Sequence, residues 1–243
     1  MKTLLVTGGC GFIGSHTCLS LLERNFNIIV IDSNINSKKI SLERIIDIGL
    51  LENKEYAKKL TFIKGDIRDF SLLNNIFSNA LLNKKPIEGV IHFAGLKAVE
   101  ESLKDPLLYW DNNLCGSINL FKVMQKYGCQ NIVFSSSATL YGNSLKKLIP
   151  ENEVLKPCNT YGNTKLGIEN LNKLYSTGKI QPEEIKILKF YHIINKMKFN
   201  FLLNLFSSFL MDSCLKQLNQ NNPKIFWLDF YKLFYLNKIR KGV

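Results

Sequence analysis

Short apolar runs rich in Val, Ile and Phe recur along the chain at 2–7, 28–31, 61–64, 89–93, 131–135 and 185–190. Runs this brief, with few polar interruptions, are what strands buried on both faces present. Between them, apolar residues at helical spacing predict helices over 13–24, 42–58, 72–82, 107–127 and 161–175. Strands that alternate with helices form right-handed βαβ units. The pattern therefore predicts an α/β fold built on a doubly wound parallel sheet.

The alternation stops near residue 190. From His192 to Val243 there is no Ala, Glu or Thr, one Gly and one Val, and Phe, Leu, Lys, Asn and Ile dominate. The aromatic run 226–235 has neither a strand nor a helix period. The apolar stretch 199–211 is interrupted by Asn200, Asn204, Ser207 and Ser208 and falls short of the roughly 20 residues that a membrane span needs. The expected organisation is a domain over 1–190 followed by an unrecognised tail over 191–243. For the tail, an out-of-frame segment, a basic amphipathic helix on a membrane surface and a small further domain all stay open.

Charge changes the picture little. The net charge is +12, and residues 191–243 hold 8 Lys or Arg against 2 Asp. Half of the excess thus sits in the last fifth of the chain, and the body carries no basic groove of the kind that nucleic acid requires. Six cysteines (Cys10, Cys18, Cys115, Cys129, Cys158 and Cys214) form no CxxC pair and have no His at ligand spacing. No metal site is expected, and a reducing cytoplasm suits free thiols. The start of the chain has no signal-peptide pattern.

The first strand runs into Thr7-Gly8-Gly9-Cys10-Gly11-Phe12-Ile13-Gly14. Gly8 suits the tight turn, Gly11 lets the backbone approach a pyrophosphate, and Gly14 lets the helix pack close to the sheet with phosphates at its positive end. Asp32 closes the second strand 18 residues after Gly14. A carboxylate there accepts from a ribose 2′-hydroxyl and repels a 2′-phosphate, which favours NAD over NADP. Gly65-Asp66-Ile67 follows the third strand, where a side chain can reach an adenine, although Asp66 could equally cap its own turn. Phe93-Ala94-Gly95 follows the fourth, with small residues at the strand end where dinucleotides lie.

Tyr161 and Lys165 stand four residues apart on a predicted helix, on one face and one turn apart. A phenol is a poor base at neutral pH, and a neighbouring ammonium favours its phenolate. Ser137, after the fifth strand, can relay a proton or bond a substrate hydroxyl beside the tyrosine.

These segments, taken in order, resemble the UDP-glucose 4-epimerase family of extended short-chain dehydrogenases, which have a Rossmann-type NAD-binding fold. The most specific is His92-Phe93-Ala94-Gly95-Leu96-Lys97-Ala98-Val99. Asp111-Asn112-Asn113, Phe134-Ser135-Ser136-Ser137-Ala138-Thr139-Leu140-Tyr141-Gly142 and Tyr161-Gly162-Asn163-Thr164-Lys165-Leu166 continue it. The resemblance implies that Tyr161 takes the proton of a sugar 4-hydroxyl, Ser137 bonds that oxygen, and Lys165 holds the nicotinamide ribose. Phe12, Ile13, Asn36, Lys97, Asn112 and Ser135 would complete the cofactor cleft. It also implies a UDP-sugar substrate, galactose metabolism and a homodimer built on the 107–127 and 161–175 helices. Sibling dehydratases carry an acidic pair where this chain has Ala138-Thr139, so dehydration is disfavoured. The family continues its sixth strand with Tyr-Phe-Asn and a glycine-containing loop, whereas this chain reads Phe190-Tyr191-His192-Ile193-Ile194-Asn195. The C-terminal substrate domain is thus expected to be largely missing. A non-catalytic NAD-binding remnant of a truncated epimerase gene stands as the alternative function.

Overall fold

A computed structural model describes residues 1–52, 54–144 and 146–176. The expected sixth strand, the boundary near residue 190 and the tail lie outside the described residues.

Five parallel strands form one sheet: β1 Thr3–Thr7, β2 Asn27–Asp32, β3 Leu60–Lys64, β4 Ile87–His92 and β5 Asn131–Phe134. Their order is β3-β2-β1-β4-β5, which is the doubly wound arrangement the alternation predicts. The order reverses between β1 and β4, which pair with Thr7 opposite His92. Ladder bonds run one residue past the strand ends: Gly8 N–H donates to the Ile31 carbonyl at 2.8 Å and Phe93 N–H to the Thr7 carbonyl at 3.0 Å. The carboxyl ends therefore finish level, which is where ligands of such sheets bind.

Side chains alternate across the sheet because a strand has a two-residue repeat. In β1, Leu5 enters one core cluster and Val6 the other. On Val6's face, helix α1 (Phe12–Glu23) contributes Cys18 and Leu22 and helix α2 (Ile40–Leu51) contributes Leu42 and Ile45. The opposite face is covered by α4 (Phe70–Leu82) through Leu73, Ile76 and Phe77, and by α7 (Gly116–Lys126) through Leu120, Val123 and Met124.

Three expectations are corrected. The helix expected over 42–58 is two, α2 and a short α3 (Tyr56–Lys59). Lys54 N–H donates back to the Gly49 carbonyl at 2.7 Å, and the Tyr56 ring folds onto Gly49, where a β-carbon would lie 2.5 Å from it. The helix expected over 107–127 is preceded by α5 (Val99–Lys104) and is itself composite. Helix α6 (Pro106–Tyr109) passes through a π-turn at Trp110–Cys115 into α7. Last, β5 is not buried on both faces: Val133 is 65% exposed.

The final described helix, α8 (Thr160–Ser176), starts where the Asn159 side chain accepts Gly162 N–H at 2.7 Å. That cap satisfies one of the unpaired first-turn amides. Among the described residues no helix is long and apolar enough to cross a membrane.

Candidate active site

The glycine turn does what its residue types allow. Gly8 has φ +70°, and a β-carbon there would lie 2.7 Å from the Ala94 nitrogen. At Gly14 a β-carbon would sit 2.3 Å from the Gly8 carbonyl oxygen. Both positions are closed to any side chain by the protein's own backbone. Gly11 differs: its nearest neighbour would be that same oxygen at 3.4 Å, an ordinary contact. The protein itself does not demand a glycine there, and the space beyond it opens on the cleft.

That cleft lies above the carboxyl ends of β1, β2, β3 and β4. Gly8, Gly11, Asp32, Asn36, Asp66 and Ile67 line one part of it. Phe93, Ala94, Gly95, Lys97 and Asn112 line the rest. The sequence thus gathers eleven of its expected residues in one place. Ser33, Ile35 and Ser37 also line it and were not anticipated, since single Ser or Ile residues in a loop carry no motif. Phe12 and Ile13 are not brought into the cleft by their side chains. They are 83% and 53% exposed and line an outer groove with His16. Gly14 packs behind the turn, as its contacts require.

Asp32 is 7% exposed and its carboxylate is heavily used. Its Oδ2 accepts Cys10 N–H at 2.9 Å, while its Oδ1 accepts Asn34 N–H at 2.9 Å and the Ser37 hydroxyl at 2.7 Å. Burial, and after it the Asp32 charge, pushes the Cys10 thiol up to about 11, so it stays protonated. Asp66 takes Arg68 N–H on Oδ1 at 2.8 Å and the Arg68 Nη2 on Oδ2 at 2.7 Å. Burial works against its charge, yet the bonds from Arg68 outweigh it and hold the carboxyl below its usual range. Asp66 therefore both organises its own turn and faces the cleft.

Lys165 is 2% exposed and Tyr161 8%. The Lys165 amine donates to the Ser135 carbonyl at 2.9 Å and lies 5.9 Å from the Tyr161 ring centroid. Burial, and then repulsion from Lys97, pushes it down to about 8. Tyr161 is fixed from its main chain, whose N–H donates to the buried Ser102 hydroxyl at 3.2 Å. Ser137 caps a 3₁₀ turn, Ala138–Tyr141, and its oxygen accepts both Thr139 N–H at 3.2 Å and the Thr139 hydroxyl at 2.9 Å. With both lone pairs taken, the proton of Ser137 is what remains to offer. Among the described residues no cluster of His, Cys, Asp or Glu could hold a metal ion.

A family model described as GDP-mannose 4,6 dehydratase matches residues 5–217, past the point where the hydrophobic pattern changes. The chain is 45% identical over 170 residues to UDP-glucose 4-epimerase 2 of Arabidopsis thaliana, covering 70% of this chain and 46% of that protein. It is 48% identical over 172 residues to UDP-glucose 4-epimerase GEPI48 of Cyamopsis tetragonoloba, with the same shares. Among solved structures, the Stenotrophomonas maltophila UDP-glucose-4-epimerase with bound NAD and formylated UDP-arabinopyranose superposes with TM-score 0.63 at 40% identity. That match covers 73% of this chain and 50% of that one. The chain spans about half the length of the curated relatives it matches. It belongs to the GDP-mannose 4,6 dehydratase family, and the relatives it matches are UDP-glucose 4-epimerases.

Proposed function

We propose that this chain binds NAD in the cleft and carries the catalytic groups of a UDP-hexose 4-epimerase, interconverting UDP-galactose and UDP-glucose through a 4-keto sugar in galactose metabolism. The observation that carries the reading is the buried Lys165, one helical turn from Tyr161 and bonded to the strand end that leads to Ser137.

The cleft suits the cofactor. Gly11 leaves open the space that a phosphate needs, and α1 begins there with no acidic residue in its first turn, so its positive end is uncompensated. Lys97 lines the cleft and its charge repels the Lys165 amine, so an anion bound beside Lys97 would ease that repulsion. Asp32, whose Oδ2 accepts only the Cys10 N–H among the described residues and so keeps a lone pair to offer, would accept from a ribose hydroxyl and repel a 2′-phosphate.

NAD held in this cleft would supply the hydride acceptor and donor for C4 of the sugar. Tyr161 removes the proton of the 4-hydroxyl as the carbonyl forms, then gives it back. Ser137 directs its remaining proton to that oxygen and stabilises the charge that builds on it. Lys165, tethered to the Ser135 carbonyl, orients the nicotinamide ribose and favours the tyrosinate. Ala138 and Thr139 offer no carboxyl acid to expel a neighbouring hydroxyl, which supports epimerisation over dehydration.

We extend the reading to a homodimer through the 107–127 segment and α8, since Leu107 on α6 and Trp110 on the π-turn stay 54% and 36% exposed. The test is a coupled assay of UDP-galactose conversion on the purified chain, with bound NAD measured in the same sample. Turnover that Tyr161→Phe lowers by about 10³-fold or more, with NAD still bound, is the expected result. NAD without turnover establishes the cofactor-binding remnant instead, and neither overturns both readings.

A further inference from the structure

His92 is completely buried at the end of β4, and no part of the chemistry above uses it. Its Nδ1 lies 2.7 Å from the Thr7 hydroxyl and its Nε2 2.8 Å from the Ser117 hydroxyl. The neighbours settle which way each proton points. Ser117 donates its hydroxyl proton to the Asn113 carbonyl at 2.5 Å, so toward the ring it can only accept, and Nε2 must carry a hydrogen. Thr7 Oγ1 accepts Ala94 N–H at 3.2 Å and retains its own proton for Nδ1. Every donor in the chain Ala94, Thr7, His92, Ser117, Asn113 then points the same way. Burial, and after it the Lys165 charge, pushes His92 down to about 3, in keeping with a neutral ring.

One end of this chain lines the cleft and the other stands next to a residue that does. At one end is Ala94, in the strand-end segment that lines it. At the other is Asn113, in the π-turn beside the lining residue Asn112. The Asn113 side chain clasps the Leu96 main chain twice, accepting its N–H at 2.8 Å and donating to its carbonyl at 3.0 Å. It also reaches the Thr164 hydroxyl at 3.2 Å, and Thr164 donates to the Tyr161 carbonyl at 2.7 Å.

We propose that His92 is a positioning residue: a neutral imidazole, protonated on Nε2, that locks the π-turn onto the end of β1 and so fixes both the 94–97 wall of the cleft and, through Asn113 and Thr164, the helix of Tyr161. Thr7 and Ser117 do not bond each other, so any energetic coupling between them passes through the ring. For its ligand-binding readout alone, the proposal rests on the cofactor reading given above.

The test is a double-mutant cycle of Thr7→Val and Ser117→Ala on the full chain, repeated in the His92→Phe background, which keeps an aromatic ring against Phe134. Two readouts are taken: hydrogen exchange of the Leu96 amide without ligand, and the NAD Kd. Each single substitution should speed Leu96 exchange and raise the Kd by about tenfold, with amides of α1 and β2 unchanged. The double should fall well short of the product of the two, and the shortfall should vanish with His92→Phe. Nitrogen-15 spectra should show His92 protonated on Nε2 at neutral pH. Strictly multiplicative effects, equal acceleration at remote amides, or an Nδ1-protonated ring would overturn the proposal. If His92→Phe does not fold, the cycle in the native background still reads the coupling. An unmodified chain that fails to bind NAD sinks the cofactor reading, while the Leu96 exchange still decides this one.

Discussion

The Asp32 carboxylate accepts the main-chain N–H of Cys10 at 2.9 Å across the gap between β2 and the glycine turn. The residue proposed to read the ribose is therefore also the tie that holds the turn and the 33–37 loop in place. Asp32→Ala strands three donors: Cys10 N–H, Asn34 N–H and the Ser37 hydroxyl. We expect it to weaken NAD at least tenfold, relax discrimination against NADP, and lower stability by about 2 kcal/mol. Asp32→Asn, which keeps an acceptor, should recover much of the stability and little of the selectivity. Parallel NAD and NADP titrations with thermal unfolding of both variants separate the two roles, and an Asp32→Ala protein with wild-type Tm contradicts the structural one.

Two glycines of one turn should behave in opposite ways. Gly14→Ala drives a β-carbon to within 2.3 Å of the Gly8 carbonyl oxygen and should prevent folding or shift the helix. Gly11→Ala meets nothing closer than 3.4 Å, so Tm should stay within a few degrees while NAD affinity falls by about tenfold or more. Circular dichroism and NAD titration of the pair check this. A Gly11→Ala protein that binds NAD normally removes the pyrophosphate from that spot.

Lys165 should leave its mark on the pH dependence of stability. Its amine is pushed down to about 8 in the fold, whereas an unfolded lysine titrates near 10.5. Between those values the unfolded chain holds more protons, so stability should rise with pH across the window, by at most about 3 kcal/mol. Below about pH 8 both states are charged and the burial penalty is borne in full. Denaturant unfolding at intervals from pH 7.5 to 10.5 reads the slope, and in Lys165→Met the slope should flatten. NAD affinity should decline over the same range as the ammonium is lost.

The doubly wound parallel sheet and most of the residues that line the cleft were legible because each depends on a local signal: apolar runs, glycines at fixed offsets and a carboxylate at a strand end. What escaped depends on contacts between distant residues. The break after α2 exists because Tyr56 returns to Gly49, and a glycine inside a helical pattern does not announce which ring will cover it. The exposure of Val133 depends on which elements cover that face of β5, which the run 131–135 does not encode. The network through His92 joins Thr7, Ser117 and Asn113, residues 25 to 85 positions apart at its two ring bonds, and each looks unremarkable alone. Phe12 and Ile13 were placed by resemblance, and their side chains point to the outer groove.

The π-turn at Trp110–Cys115 takes one residue more per turn than the α-helices it joins. Each residue of an α-helix advances the side-chain direction by about 100°, so the extra one dephases the segment before it from the segment after it. Asn112 can then line the cleft while Leu120, Val123 and Met124 aim at the core, two headings that one uninterrupted helix does not offer at this spacing. Deleting a single residue between 110 and 115 would restore a regular helix and force the chain to keep either its cleft or its core, with no neutral compromise. Length, and not only residue identity, thus sets the geometry of this stretch, and an indel there should be a lesion even where every surrounding side chain is preserved.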